Sequence, residues 1–471
     1  MTNSVRNTAV AVALAAGVGG ATSAQASNWI LLQGTEPFGK AHTLQAWGFL
    51  QPTFRSIEDE DLDVPGTPFD GDRAVFNTLG PDRQSAQSFS LFRARLGARG
   101  VLHPVNDKIN YFFLAEFGDN GITRLGSPGT GSVSPQLTDA SVTFRHYAGG
   151  GSSDPWKPGV SLRFGQFKMP LADEGSRGIM SFDYINFSEV TRQQVLERFI
   201  RNNNEGIDGS ISAFRDIGVQ LFDEIKVTDK WEATWAAAVG NGNGINRLDN
   251  DENLDVYLRA QTAYVFDGVK RGGPRREDLK LFAWSQQGKR QFDDGGGVDE
   301  YDRKRHGVGF HFYKQPYRLS GEYIWGSGMV FDGATRTDSD GNPVPGPGIS
   351  DPNSNFGYLP QIAPDEDNEF DGWYVEGAYF PIPNKFGIQA RFDRLNRMTN
   401  NDARHRQFDT WTIGLQYWNH PVKGQWQLNY RIRDLEAPDL PGGHNANKVG
   451  ESMGNEIGLQ YFFLFKNVAL R

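Results

Sequence analysis

The chain contains no cysteine, which removes disulfide frameworks, thiolate metal sites and covalent haem attachment together. No apolar run approaches the roughly 20 residues that a membrane-spanning helix requires. No HExxH or phosphate-loop spelling occurs, and the eight histidines form no ligand-spaced set, so neither a metal nor a cofactor is expected. Gly240, Gly242 and Gly244 lie in a loop with no phosphate-binding helix after them and read as turn glycines. A basic excess is missing too. The net charge of -9 argues against nucleic acid, whose backbone calls for cationic surfaces.

What is present points to export and to strands. Arg6 precedes a small-residue apolar run, 9–20, that closes on Ala24-Gln25-Ala26, the arrangement of a cleaved signal peptide over 1–26. Residues 27–471 then form one domain. Its 56 glycines, 13% aromatic content and mean hydropathy of -0.54 suit strands that show one face to lipid and the other to water better than a packed soluble core.

Period-two alternation supports this. Trp426, Leu428, Tyr430 and Ile432 alternate with Gln427, Asn429, Arg431 and Arg433, and Trp411, Ile413, Leu415 and Tyr417 alternate with Thr412, Gly414 and Gln416. A soluble sandwich would explain each strand singly. Segments of this kind fall at 42–55, 88–103, 108–118, 137–146, 159–168, 215–225, 230–240 and 253–266. Eight more follow at 278–287, 304–314, 316–326, 371–380, 385–395, 408–418, 424–434 and 453–465, and the phase of the first and ninth is ambiguous. Connections after odd-numbered strands are mostly long and those after even-numbered strands mostly short. Outer-membrane barrels have long extracellular loops and short periplasmic turns, so the expected fold is all-β: a transmembrane antiparallel β-barrel of 16 strands with both termini in the periplasm.

A lumen of that size is too wide for wall side chains to fill. The long loop after strand 5, 170–214, is therefore expected to fold inward as a constriction, with a helix over 190–201; a lid over the mouth is the alternative. Carrying strand phase through, Arg93, Arg95, Arg99, Arg145, Arg163, Arg259, Arg318, Arg391, Arg431 and Arg433 should line the pore. Inward acids are Glu116, Asp139, Glu232, Glu322, Glu376, Asp393 and Glu456. The loop brings Asp173, Glu174, Asp183, Glu189, Glu197, Glu205 and Asp208 against Arg177, Arg192, Arg198 and Arg201, a net acidic set. Facing the arginines, it would set a transverse field that favours small polar solutes; salt-bridging that braces the loop is the other reading. Acidic outer loops, with Asp338-Ser339-Asp340-Gly341-Asn342 among them, could bridge divalent cations to lipopolysaccharide, but they read first as solvated charge.

Several segments resemble the phosphate-selective porin O and P family: 91–100 (LFRARLGARG), 137–145 (LTDASVTFR), 162–170 (LRFGQFKMP) and 215–221 (RDIGVQL), continuing through 253–266. The resemblance implies a trimeric, sixteen-stranded, anion-preferring channel in a Gram-negative outer membrane, with Arg93, Arg95, Arg99 and Arg163 on the anion path. The family's constriction lysines have no counterpart, since 170–214 contains no lysine. The resemblance also implies a closing aromatic residue, whereas Phe465 is followed by Lys466 to Arg471, so insertion would rely on an internal signal or on an unusual C-terminal extension. The expected function is passive diffusion of ions and small hydrophilic solutes with weak anion preference, beside outer-membrane lipid and lipopolysaccharide. Phosphate or polyphosphate selectivity is the alternative. An adhesin, or a barrel hydrolase using His311 and Ser320 from neighbouring strands, is the alternative of another class.

Overall fold

The computed structural model describes residues 34–35, 42–58, 61–66, 70–71, 87–118, 120, 123, 135–149, 159–178, 182–196, 214–249, 252–267, 276–293, 298–337, 343–346, 361–363, 367–420 and 423–468. The expected signal segment 1–26 and the acidic stretch 338–342 lie outside them.

Strands β1 (Gln45–Ile57), β2 (Gln87–Leu102), β3 (Asn106–Glu116), β4 (Gln136–Gly149), β5 (Gly159–Lys168), β6 (Arg215–Lys226), β7 (Trp231–Gly240) and β8 (Asp255–Val265) form the first half of a closed barrel. The second half is β9 (Asp278–Asp293), β10 (Val298–Lys314) and β11 (Tyr317–Ser327), then β15 (Glu369–Ile382), β16 (Phe386–Arg397), β17 (Arg406–His420), β18 (Gly424–Glu436) and β19 (Glu456–Val468). Neighbours pair antiparallel throughout, and β1 closes the circle on β19, with Gln45 opposite Val468 and Ile57 opposite Glu456. All sixteen expected strands are there. Between β11 and β15, a separate three-stranded sheet of β12 (Val330–Thr337), β13 (Pro343–Gly346) and β14 (Gln361–Ala363) replaces what the proline- and glycine-rich sequence presents as plain loop.

Alternation explains the wall. In β17, Trp411, Ile413, Leu415 and Tyr417 point outward, whereas Thr410, Thr412 and Gln416 are buried inside. Outward aromatics gather at two levels. Trp373, Phe392 and Trp411 pack in tilted contact near the long-loop rim, with centroids 5.2 and 4.9 Å apart. Tyr317 and Tyr379 (5.4 Å) and Trp426 and Tyr461 (4.6 Å) lie near the short turns. Amphipathic rings at two interfaces with an apolar band between them are the signature of a barrel seated in a bilayer. Replacing Ile413 by Arg should then cost about 2–4 kcal/mol of insertion free energy, as expected for a cation on the lipid face. Urea titration of folding into lipid vesicles measures that loss; an unchanged midpoint would mean that Ile413 does not face lipid.

Two departures have local causes. β9 and β10 run several residues beyond the expected ends, because past Gln287 the outward positions turn polar, as at Lys289, and the apolar signal stops while pairing continues. In β1, Pro52 offers no ladder donor, and the register shifts between Gln51 and Pro52. Gln51 pairs with Arg93 and Pro52 with Leu91, leaving Phe92 as the extra residue of a bulge.

Candidate functional site

The bulge rebuilds one side of the lumen. Phe92, which strict alternation would aim at lipid, is buried, and the Arg55 and Arg93 guanidinium carbons lie 4.6 and 4.5 Å from its ring centroid. The same pairing recurs along this wall: Arg95 over Phe49 at 5.6 Å, Arg99 over Phe112 at 5.4 Å and Arg163 over Phe222 at 4.8 Å. Each ring supports a guanidinium face by cation–π attraction and leaves the N–H edge for polar partners. Arg93 donates to Gln51 Oε1 (3.1 Å), Arg95 to Glu116 Oε2 (2.6 Å), Arg163 to Thr143 Oγ1 (3.2 Å) and Arg99 to the Thr35 carbonyl (3.1 Å). Arg215, at the start of β6, donates to Asp139 Oδ2 (3.0 Å). With Arg145 and Lys168, β1–β6 carry the basic side chains Arg55, Arg93, Arg95, Arg99, Arg145, Arg163, Lys168 and Arg215 against the buried acids Glu116, Asp139, Asp216, Asp223 and Glu224.

The opposite side is filled by the loop after β5. Its described parts, 169–178 and 182–196, form a short helix α1 (Asp173–Ser176) and a π-helical turn (Thr191–Val195). The helix expected over 190–201 is thus corrected within the described residues to a single wide turn that ends at Leu196, whose backbone is extended. Arg198 and Arg201, like Glu197, Glu205 and Asp208, lie outside the described residues. The loop is inside the barrel, since its groups bond to inward side chains of β11, β16 and β18. The Asp173 amide donates to Glu322 (3.0 Å), the Ile185 amide to Asn429 Oδ1 (2.8 Å) and the Glu189 amide to Asp393 Oδ2 (2.9 Å). Met169, Leu171, Phe187, Val190, Val195 and Leu196 share one apolar core with lumen residues such as Tyr257, Trp284, Phe370 and Phe408. Gly372 makes that close approach possible, because a Cβ there would sit 2.7 Å from Val190 Cβ. Glycine at a lumen-facing position was the available sign of where the loop rests.

The loop acids do not face the β2–β5 arginines, which corrects the expected transverse arrangement. Asp173 binds the loop's own Arg177 (2.7 Å); Glu174 binds Arg391 (3.3 Å) and the Ser188 hydroxyl (2.6 Å). Asp183 pairs with Arg318 and accepts from Gln416 (2.6 Å). Glu189 binds Arg192 (2.5 Å) and Arg431 (2.6 Å). Arg177 reaches Glu376 as well, Arg259 donates to the Leu171 carbonyl (2.6 Å) and Arg433 to the Gly454 carbonyl (2.7 Å). The four described loop carboxylates are therefore matched by loop arginines and by β11, β16 and β18, which leaves the β1–β6 side as the strongly basic surface.

Arg305 was missed: fully buried, it donates to the carbonyls of Gln194 (2.8 Å) and Met329 (2.9 Å), tying the loop to the segment after β11. Its inward phase was readable, but it sits near a strand end where charge passes for loop. His311 and Ser320 are cross-strand partners, yet the Ser320 hydroxyl donates to Glu376 (2.7 Å) and accepts from Arg177 (3.1 Å). The run 450–454 (GESMG) spells GxSxG, but Ser452 follows helix α2 (Asn445–Glu451) and its hydroxyl donates to the Lys448 carbonyl (3.3 Å), without the strand-to-helix elbow that the motif needs.

Burial would raise the carboxyls of Asp173 and Glu189, but Arg177 beside the first, and Arg192 and Arg431 beside the second, outweigh it and hold both down to about 2. Depressed carboxyls stabilise the docked state at every pH above their free values near 4 and lose that contribution as pH falls toward 2. The share of loop docking that rests on these two carboxyls should accordingly be constant from pH 7 to about pH 5 and decline progressively as pH falls from about 4 toward 2. Limited proteolysis of the loop across this range checks it, and cleavage already appearing at pH 5 would contradict the pairing.

No protein-family model matches the chain, and no curated protein matches it in sequence. Solved structures share its architecture. OmpT expressed in the outer membrane of Vibrio cholerae aligns at a TM-score of 0.50 and 10% identity, covering 91% of this chain and 99% of that one. OmpF of Salmonella typhi, solved with daunomycin, aligns at 0.50 and 12%, covering 90% and 98%. The outer membrane channel DcaP of Acinetobacter baumannii gives 0.48 and 16% over 90% and 97%. At these identities what is shared is the fold: the sixteen-stranded barrel of outer-membrane porins.

Proposed function

We propose that this protein is an outer-membrane porin, beginning near Ser27 after signal cleavage, through which ions and small hydrophilic solutes diffuse passively with weak anion preference. The observation that carries the reading is the division of the lumen. A loop packed like a protein interior narrows one side, its described carboxylates matched by nearby arginines, while the β1–β6 side keeps eight basic side chains against five buried acids. An aqueous gap beside that surface favours anions, and the neutralised loop does not oppose them. Narrower phosphate selectivity draws on Arg93, Arg95, Arg163 and Arg215. Phosphate added to a chloride current distinguishes the two, since a selective site is blocked at low phosphate and a general pore is not.

Purified protein in a planar bilayer should give stepwise, ohmic currents with a reversal potential in a salt gradient displaced toward the anion. A homotrimer, proposed to associate through the lipid-facing side near the early and late strands, should appear as an SDS-resistant oligomer and as conductance steps in threes. A well-inserted but silent protein would overturn the channel reading.

A further inference from the structure

Ahead of β1, Gly34 and Thr35 are both buried, Thr35 only 5% exposed, and they lie against inward side chains of β2, β3 and β4. The Thr35 carbonyl accepts from Arg99 Nη2 (3.1 Å). Gly34 covers the neighbouring positions: a Cβ there would sit 3.1 Å from Thr143 Oγ1, 3.4 Å from Phe112 Cβ and 3.6 Å from Ser141 Oγ. Strand register sets these partners side by side, since Arg99 is opposite Phe112, Phe112 opposite Ser141 and Thr143 opposite Arg163. Thr143 Oγ1 also accepts from Arg163 Nε (3.2 Å). The two residues therefore rest in the lumen between Arg99 and Arg163. A carbonyl buried outside any strand needs a donor, and here the donor belongs to the basic wall. Glycine suits the place, because its φ of +59° lies in the left-handed region. Closer to β1 the chain is tied to the short-turn end, where the Val101 amide donates to the His42 carbonyl (3.1 Å) and the Tyr111 hydroxyl to the Thr43 carbonyl (2.8 Å).

We propose that the stretch carrying Gly34 and Thr35 is a built-in ligand of the basic wall: docked between Arg99 and Arg163, it narrows the anion path and limits the access of solutes to these two arginines. The loop after β5 bonds to β11, β16 and β18, so the two obstructions stand on different sides of the lumen. The narrowing rests on the channel reading, whereas the docking is independent of it.

The chain has no cysteine, so Thr35→Cys in the mature protein places a single thiol on the docked stretch and keeps the carbonyl that Arg99 holds. A bulky maleimide should label it about tenfold more slowly in the folded barrel than in the urea-unfolded chain. Adding Gly34→Val should abolish that protection, because a β-branched residue resists the left-handed backbone and its Cβ would crowd Thr143. In planar bilayers Gly34→Val, and equally deletion of 27–35, should raise single-channel conductance roughly 1.5- to 2-fold and move the reversal potential further toward the anion. Labelling of Thr35→Cys at the unfolded rate in a heat-modifiable barrel overturns the docking. Parental conductance after deletion of 27–35 overturns the narrowing, whichever way Gly34→Val behaves. A parent that is silent in bilayers and still protects the thiol refutes the channel reading and leaves the docking standing.

Discussion

Replacing Arg391 and Arg431 together by Ala is expected to free the inward loop and raise single-channel conductance several-fold while the barrel stays closed. Arg391 binds Glu174 and Asp393 and donates to the carbonyls of Asn186 and Phe187 at 3.2 Å each. Arg431 binds Glu189 and Glu456. Removing one partner of a buried ion pair costs about 3–5 kcal/mol, because the other charge remains dry. The double variant leaves Glu174 and Glu189 on the loop without their wall partners, and Asp393 and Glu456 on the wall without theirs. The barrel cannot relieve this, since its strands are fixed by pairing on both sides, but the loop can, by moving into water. Opposing release is the apolar core around Phe187, Val190 and Leu196, which contributes about 25 cal/mol for each Å² kept from water. Two broken ion-pair nodes should outweigh it in part, giving long openings to a wider level. Gly372→Ala tests the same docking sterically, because a Cβ there would sit 2.7 Å from Val190 Cβ and 2.7 Å from the Arg394 carbonyl of the adjacent strand, which leaves the loop as the part free to move. Conductance that stays at the parental level in both variants, with heat-modifiable barrels on gels, would show that the loop does not limit flow.

The barrel was legible because a lipid-facing strand carries a repeating constraint. Each outward position from Trp411 to Tyr417 must be apolar, and the two-residue period makes the constraint visible without partners. The inward phase of Arg163, Arg391 and Arg431 followed from the same rule. The rule ends where its cause ends: β9 continues past Gln287, above the apolar belt, and Phe92 breaks phase because a proline on the neighbouring strand forces a bulge. Which loop acid meets which arginine was not legible at all. Glu174 and Arg391 lie 217 positions apart, and their meeting depends on how the loop packs, for which the sequence shows little beyond glycine at a lumen position such as Gly372.

Replacing Arg93, Arg95 and Arg163 together by Ala should turn the channel from weak anion preference toward cation preference. These three are among eight basic side chains on the β1–β6 side, where the buried acids are Glu116, Asp139, Asp216, Asp223 and Glu224. Folding should survive. The Glu116 carboxylate still accepts from the amides of Ala94 and Gly118, both at 2.8 Å, and Asp139 keeps Arg215 at 3.0 Å. Loss of Arg95 nevertheless exposes Glu116 as a net negative charge, so the variant changes the field by more than its three deletions. Opposition from the loop is small, because its described carboxylates are matched on the other side by Arg177, Arg192, Arg318, Arg391 and Arg431. Screening sets the conditions: the Debye length is about 10 Å at 0.1 M salt and about 3 Å at 1 M. The shift in reversal potential should therefore be large in dilute potassium chloride and nearly absent in concentrated salt. A triple variant that keeps the parental reversal potential in dilute salt would place the permeation path away from these arginines, whereas a shift that persists undiminished at 1 M would mean that they touch the permeating ion directly.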